Sequence, residues 1–399
     1  MKNPKAKFGF LGFLAIIFIA VVLRPPVASI GPLLQEIQIS LGVTTELIGL
    51  LAAAPVLCFG LGAFASPWLV GRVGVNHAML YVMSFLGLAS LLRMFFGYPG
   101  LLLGTIGAGL SIAIANVLLP TVVRVQFPNR VALVTGAYTT LLSISASLAA
   151  SIAVPSSNLL GGWSPALAIW ILPTVLAILL WLPQVRTQDS HVAQPASSAA
   201  EERSAVLRSP ISWAIVGFFG IQSLGFYALL GWMPSALTAI GETPEAAGGY
   251  LGFASAIGIP TGLIVSSMLG KFKSLSWWAA GTSISTLAGN ILFTIVLQTQ
   301  DSSLLILACV LIGLGMSATF PISLSLISTR ASTQAQTTQL SAMSQGWGYL
   351  LAAAGTFMVG FVANASASWA LSFGIITALT LVQAAIGIYA GRPGIIPAK

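Results

Sequence analysis

The sequence predicts an all-α membrane protein of twelve transmembrane helices in two pseudo-symmetric six-helix halves, with both termini cytoplasmic. Three observations carry this. Of the 399 residues, 57% are hydrophobic and only 6% charged, with a mean hydropathy of +0.96. Soluble domains carry about 25% charged residues, so lipid rather than water must cover much of this surface. The apolar runs are continuous rather than alternating, which favours helices over a barrel. A spanning helix and its loop use on the order of 30 to 35 residues, so the chain holds about twelve. Finally, assigning alternate loops to opposite sides sorts the charges by sign.

Charges and Pro/Gly punctuation place the spans in order. Span 1 (8–34) follows Lys2, Lys5 and Lys7. This start imitates a signal peptide, but the apolar run continues through Leu34 without a clear small-residue cleavage site, so it reads as a retained helix. Arg24 stands 16 residues after Phe8, about 24 Å along a helix and past the midplane. Pro25 and Pro26 cannot donate to the carbonyls of Val21 and Val22, so the helix should kink or loosen at Arg24. Span 2 (46–70) opens on Thr44-Thr45-Glu46: a threonine can cap the helix and the glutamate meets its positive end. Span 3 (78–97) carries Arg93 near its outer end, where a long side chain can snorkel to the interface. Span 4 (100–123) contains Gly107, Gly109 and Asn116 ahead of Arg124, span 5 (131–154) contains Tyr138, and span 6 (164–183) closes a first half, 1–185.

Residues 186–209 include the Ala/Ser/Pro-rich stretch QPASSAAEER and read as a flexible cytoplasmic linker. The second half, 210–399, repeats the pattern. Span 7 (211–235) holds Gln222, Tyr227 and Trp232. Span 8 (246–269) opens on Thr243-Pro244-Glu245, like span 2, with Pro244 suited to the first turn. Span 9 is 276–297. In span 10 (303–328), Gly313 and Gly315 precede Arg330 at the separations that Gly107 and Gly109 keep from Arg124. Span 11 (336–362) holds Gln345 and Tyr349, and span 12 is 367–390. Charge-matched halves, glycine spacing and a central linker favour a duplicated transporter.

With these spans, one side receives both termini and every lysine and arginine except Arg24 and Arg93. The other receives Glu36, Glu46, Glu242, Glu245 and Asp301 and no base. Positive-inside bias makes the first side cytoplasmic. It also explains the net charge of +8 without nucleic acid, which would need a clustered basic face. Cys58 and Cys309 lie in separate apolar runs without ligand spacing, so no disulfide, metal or cofactor is expected. An integral-membrane enzyme would need a buried cluster of His, Asp, Glu or Cys, and the sequence offers none.

Ionisable groups at membrane depth cost about 2.5 to 3.5 kcal/mol on insertion scales and are therefore functional candidates. Arg24 is the foremost. Its guanidinium fork suits a carboxylate or similar planar anion, whereas a structural arginine would bond carbonyls of a neighbouring span. No carboxylate lies deep in any span, which favours an anionic or electron-rich solute over a cation. Asn116, Tyr138, Gln222, Tyr227, Trp232, Gln345 and Tyr349 are further candidates, each with an interhelical hydrogen bond as the structural alternative. Gln345 and Tyr349 are four apart and share a helix face. Gln222 and Tyr227, five apart, are about 140° apart on an ideal helix and face one cavity only if Gly225 loosens the turn.

Several of these segments resemble the major facilitator superfamily and, within it, the cyanate and 2-nitroimidazole transporter family. The likeness rests on Leu23-Arg24-Pro25 with Ser29 and Gly31-Pro32-Leu33-Leu34, on Asn116-Val117-Leu118-Leu119-Pro120, and on Phe127-Pro128. In the second half it rests on Gln222-Ser223-Leu224, Phe226-Tyr227, Trp232-Met233-Pro234, Leu340-Ser341-Ala342-Met343, Gln345 and Gly348-Tyr349. The chain departs from the family at Val22 and Thr356, where asparagine and proline are frequent, and around Gly71-Arg72-Val73-Gly74, which lacks the superfamily's aspartate.

The resemblance implies transport of cyanate-like anions or small nitro-aromatic and related planar solutes. The expected protein is thus a secondary transporter of the bacterial cytoplasmic membrane, working as a monomer. It would bind a small anionic or polar solute and alternate access by rocking its halves. The rival within the same fold is a multidrug efflux pump using Tyr138, Tyr227 and Trp232 as stacking surfaces.

Overall fold

The computed structural model describes residues 4–186, 196–272 and 274–396, and every regular element among them is helical. Eleven segments are long and apolar enough to cross a bilayer, and a bent pair makes a twelfth. In order they are Phe10–Leu33, the pair Leu47–Ala63 and Ser66–Val73, Val75–Leu92, Gly97–Gln126, Val131–Leu160 and Trp163–Val185. The second six are Pro210–Ala239, Ala246–Met268, Ser276–Thr299, Ser302–Arg330, Gln334–Ser366 and Trp369–Ala390. Large apolar side chains such as Leu159, Leu172 and Trp277 are exposed, as lipid contact requires and water would penalise.

Span 1 breaks where its sequence dictates. The first helix, Pro4–Leu23, stops before Arg24; a four-residue helix, Pro25–Ala28, follows, then a single 3-10 turn and the helix Leu34–Leu41. Gly42 ends it at φ 62°, a left-handed conformation that suits glycine. Span 2 bends by 52° between its two pieces, a break absent from the sequence reading. Pro67 explains it: it stands in the first turn of the second piece and has no N–H for the carbonyl of Ala63.

Two further expectations change. The segment 186–209 is not a structureless linker throughout, because Ala196–Arg208 is a helix. Its alanines, glutamates, Leu207 and Arg208 are strong helix formers. Val206 is buried and Glu202 accepts a hydrogen bond from Thr333 Oγ1 at 3.0 Å. The rest of the expected linker, 187–195, lies outside the described residues. The matched threonine starts are also unequal: Thr243 Oγ1 accepts from the Ala246 N–H at 3.2 Å, whereas Thr44 makes no side-chain cap. The side chains of Glu46 and Glu245 lie outside the described residues.

The chain divides into two compact units. The first comprises 1–129, 137–201 and 337–342; the second comprises 130–136, 202–336 and 343–399. In the first, span 4 packs on spans 1, 2 and 3, and span 6 on spans 1 and 3. In the second, span 10 packs on spans 7, 8 and 9, and span 12 on spans 7 and 9. The pairing pattern is the same six spans apart. Glycines of spans 4 and 10 permit close approach to these neighbours, but the matched members face opposite partners, Gly107 meeting span 3 where Gly313 meets span 8, and Gly109 meeting span 2 where Gly315 meets span 9. A Cβ on Gly107 would lie 3.0 Å from Ala89 Cβ of span 3, and one on Gly109 would lie 2.8 Å from Cys58 Cβ of span 2. In span 10 a Cβ on Gly313 would strike the Ala254 carbonyl of span 8, and one on Gly315 would strike Thr286 of span 9.

Three acids at span ends, Glu36, Glu242 and Asp301, are tied to serines. Ser157 donates to both carboxylate oxygens of Glu36 at 2.6 and 2.7 Å, and Ser302 donates to Glu242 at 2.5 Å. Asp301 caps the turn before span 10, where the backbone N–H and hydroxyl of Ser303 hold its carboxyl below the usual range.

Candidate functional site

The first unit builds its site around the break in span 1. Arg24 sits between the two helical pieces, half-buried, with φ −102° and ψ −40°. Its carbonyl accepts from the N–H groups of Val27 and Ala28 at 3.1 and 2.9 Å, which starts the short helix. Ser29 bonds the Pro25 carbonyl through both its N–H and its hydroxyl, at 3.0 and 2.7 Å. The Ile30 N–H turns to Val27 at 3.2 Å, one residue short of helical register. Register would have paired it with the Pro26 carbonyl, so the break leaves that acceptor for another donor.

Arg93 supplies it. Its Nη1 donates to the Pro26 carbonyl at 2.5 Å from the end of span 3. This corrects the sequence expectation: Arg93 does not snorkel to the interface but is 2% exposed and points into the unit. Gly104 makes the room, since a Cβ there would lie 2.7 Å from Arg93 Cγ. Nε and Nη2 of Arg93 have no hydrogen-bond partner among the described residues. The sequence signal was present, because a second arginine at span depth is costly anywhere; the preference for snorkelling over inward pairing hid its role. Asn116 and Tyr138 are both buried in this unit, on spans 4 and 5.

The second unit contributes an aromatic group and a polar cavity. Tyr349 is buried on span 11, edge-on to Phe219 of span 7 with ring centroids 5.3 Å apart. Tyr227 lies 6.3 Å from Tyr349, and Gln345 is buried one turn before it. Span 7 therefore meets span 11 through Phe219, a residue that is not among the sequence candidates. Trp232 is separate from this group. Its indole N–H donates to the Thr356 carbonyl at 2.8 Å and its ring lies 5.6 Å from Trp369. A Cβ on Gly360 would fall 2.4 Å from the ring and has none to clash. The contacts of Trp232 are those of a packing anchor.

Gln222 and Tyr227 are not brought onto one helix face. Span 7 is a single helix, Pro210–Ala239, with Gly225 inside it, so the 140° between them persists. Gln222 lines a cavity within the unit together with Thr286, Asn290, Thr319, Thr380 and Gln383. The last five were missed from the sequence, although Thr286 with Asn290 and Thr380 with Gln383 are polar pairs at i,i+4 and i,i+3 in apolar helices. Among the described residues, no three His, Cys, Asp or Glu side chains gather to hold a metal ion.

Comparison with known proteins agrees with this architecture. The Major Facilitator Superfamily model matches residues 8–356. The 2-nitroimidazole transporter of Escherichia coli (strain K12) is 32% identical over 381 residues, covering 94% of each chain. The cyanate transport protein CynX of the same strain is 25% identical over 361 residues, covering 90% of this chain and 92% of that one. The structure of the proton:xylose symporter XylE superposes with a TM-score of 0.77 over 96% of this chain and 95% of that one, at 12% identity, a likeness of fold alone. The chain is a multi-pass membrane transporter, not an enzyme, and it belongs to the major facilitator superfamily, as a transporter of the type that includes those two Escherichia coli proteins.

Proposed function

We propose that this transporter moves a small anionic or polar planar solute, such as a cyanate-like anion, a carboxylate or a nitro-heterocycle, across the bacterial cytoplasmic membrane by alternating access. Arg24 is the clamp that holds it. The observation that carries this reading is the guanidinium-bearing residue set at a helix break inside span 1. Irregular backbone at that depth is tolerated where it lines a cavity or is buried in protein. Among the described residues no carboxylate lies deep in a candidate span, so the ionisable charge at membrane depth there is positive. Asn116 and Tyr138 in the first unit and, taken separately, Gln345, Tyr349 and Tyr227 in the second are side chains of the amide and aromatic kinds that suit a planar solute. The names of the two bacterial relatives, one for 2-nitroimidazole and one for cyanate, agree with that solute class. The transporter works as a monomer with both termini in the cytoplasm.

Thermal unfolding of the purified protein tests this against cyanate, small carboxylates and 2-nitroimidazole, since a ligand that binds the folded state raises Tm. The reading expects a saturable rise with at least one of these that disappears in Arg24→Gln. A rise of equal size in that variant would refute the clamp.

A further inference from the structure

Spans 7 and 11 of the second unit meet along a seam where large side chains of one helix sit over glycines of the other. Phe219 lies over Gly348 and Leu224 over Gly355. A Cβ on Gly348 would strike Phe219 Cδ1, lie 2.9 Å from Cε1 and come 3.3 Å from Gly220 Cα, and a Cβ on Gly220 would lie 3.3 Å from Gly348 Cα. The two backbones therefore cross at these glycines, so close that any side chain at 348 has to displace the phenyl ring.

The Phe219 ring is 0% exposed and closely enclosed. Gly348 lies against it, Phe320 of span 10 packs at 6.1 Å and 48°, and Tyr349 stands edge-on at 5.3 Å and 86°. Residue 348 directly precedes 349, so the ring is wedged against the backbone from which the tyrosine departs. Edge-on pairs are directional, because the positive rim of one ring meets the negative face of the other. The other ring beside Tyr349 is Tyr227, at 6.3 Å and 70°. Tyr227 is only half-buried, which makes the enclosed Phe219 the firmer wall. Leu224 supplies the contrast: it fills its glycine in the same way but carries no ring to orient a neighbour.

We propose that Phe219 is a positioning residue for Tyr349: seated over Gly348, it holds the Tyr349 ring in the orientation that meets the solute. The second half of this rests on the reading above, in which Tyr349 belongs to the solute site.

Purified full-length protein labelled with fluorotyrosine gives a readout that needs no solute. Among its seven tyrosines, the 19F resonance of Tyr349 is the one lost in Tyr349→Phe. Phe219→Leu, which keeps most of the volume, is expected to shift or broaden that resonance and to weaken 2-nitroimidazole and cyanate, read as Tm shifts, about three- to tenfold. Gly348→Ala, which drives the ring away with Phe219 still present, should do the same. Gly355→Ala meets Leu224 on the same seam; it should lower Tm while leaving the Tyr349 resonance in place and affinity within about twofold. An unmoved resonance in both Phe219→Leu and Gly348→Ala overturns the proposal, as does affinity that simply follows Tm through all three variants. A moved resonance with unchanged affinity upholds the positioning and removes Tyr349 from the solute site. Arg24→Gln keeps the resonance, so loss of the solute shift alone there concerns the clamp; with no shift from either probe in wild type, the solute reading fails and the resonance still decides whether Phe219 positions the ring.

Discussion

Two arginines at membrane depth divide the work of span 1. Arg24 sits at the break, and Arg93 reaches across from span 3 to the carbonyl that the break exposes. Arg93 thus acts as a positioning residue for the backbone two residues beyond Arg24. Arg93→Met leaves the Pro26 carbonyl without its donor, and solute transport is expected to fall about tenfold, with Arg93→Lys recovering much of it because an ammonium can still donate. Transport assays at matched insertion, with Tm measured in parallel, check both. At Trp232 the expectation is opposite. Trp232→Phe removes the bond to Thr356 and should cost about 1 kcal/mol of stability while solute affinity stays within about twofold; a large affinity loss would return Trp232 to the solute site. Tyr349→Phe keeps the edge-on ring contacts, so any loss of solute binding there reports on the hydroxyl.

Helices were legible wherever their cause is local. The Arg24 break follows from Pro25 and Pro26, and all twelve crossings follow from apolar length. The bend in span 2 was equally written in Ser66-Pro67, since Pro67 has no N–H for the Ala63 carbonyl. The helix Ala196–Arg208 was hidden by the absence of an apolar stripe, although helix propensity alone favours it and burial of Val206 holds it. Contacts between helices were less legible: matched spacing flagged Gly107, Gly109, Gly313 and Gly315 without saying which neighbour each admits. Their packing makes a direct prediction. Gly315→Ala puts a Cβ against Thr282 and Thr286 and should lower stability by about 1 to 3 kcal/mol. Gly281→Ala, where nothing lies within 4 Å, should change it by no more than about 0.5 kcal/mol. Thermal unfolding of the two variants in one detergent distinguishes them.

Across the whole molecule, a small charged set organises the chain. In the span scheme every base except Arg24 and Arg93 falls on one side, and the other side receives five of the eight acids and no base, a pattern readable because lipid makes every misplaced charge expensive. The candidate site was legible only in part: Arg24 stood out for its cost, whereas the neutral residues Thr286, Asn290, Thr380 and Gln383 needed the fold to bring two helices together. Topology predicts that a cysteine introduced near the N-terminus reacts with a membrane-impermeant thiol reagent only after the cytoplasmic face is exposed; reaction in intact cells would reverse the orientation. The central claim, that Arg24 holds the solute, is tested most directly by initial flux into proteoliposomes. The solute is the one that stabilises the protein, and wild type, Arg24→Lys and Arg24→Gln are compared at equal insertion. A charge-assisted hydrogen bond is worth about 1.5 to 3 kcal/mol, so Arg24→Gln should lose about 10- to 100-fold in flux at low solute concentration, and Arg24→Lys, which keeps the charge but not the fork, should fall between. Flux through Arg24→Gln equal to wild type would contradict the account.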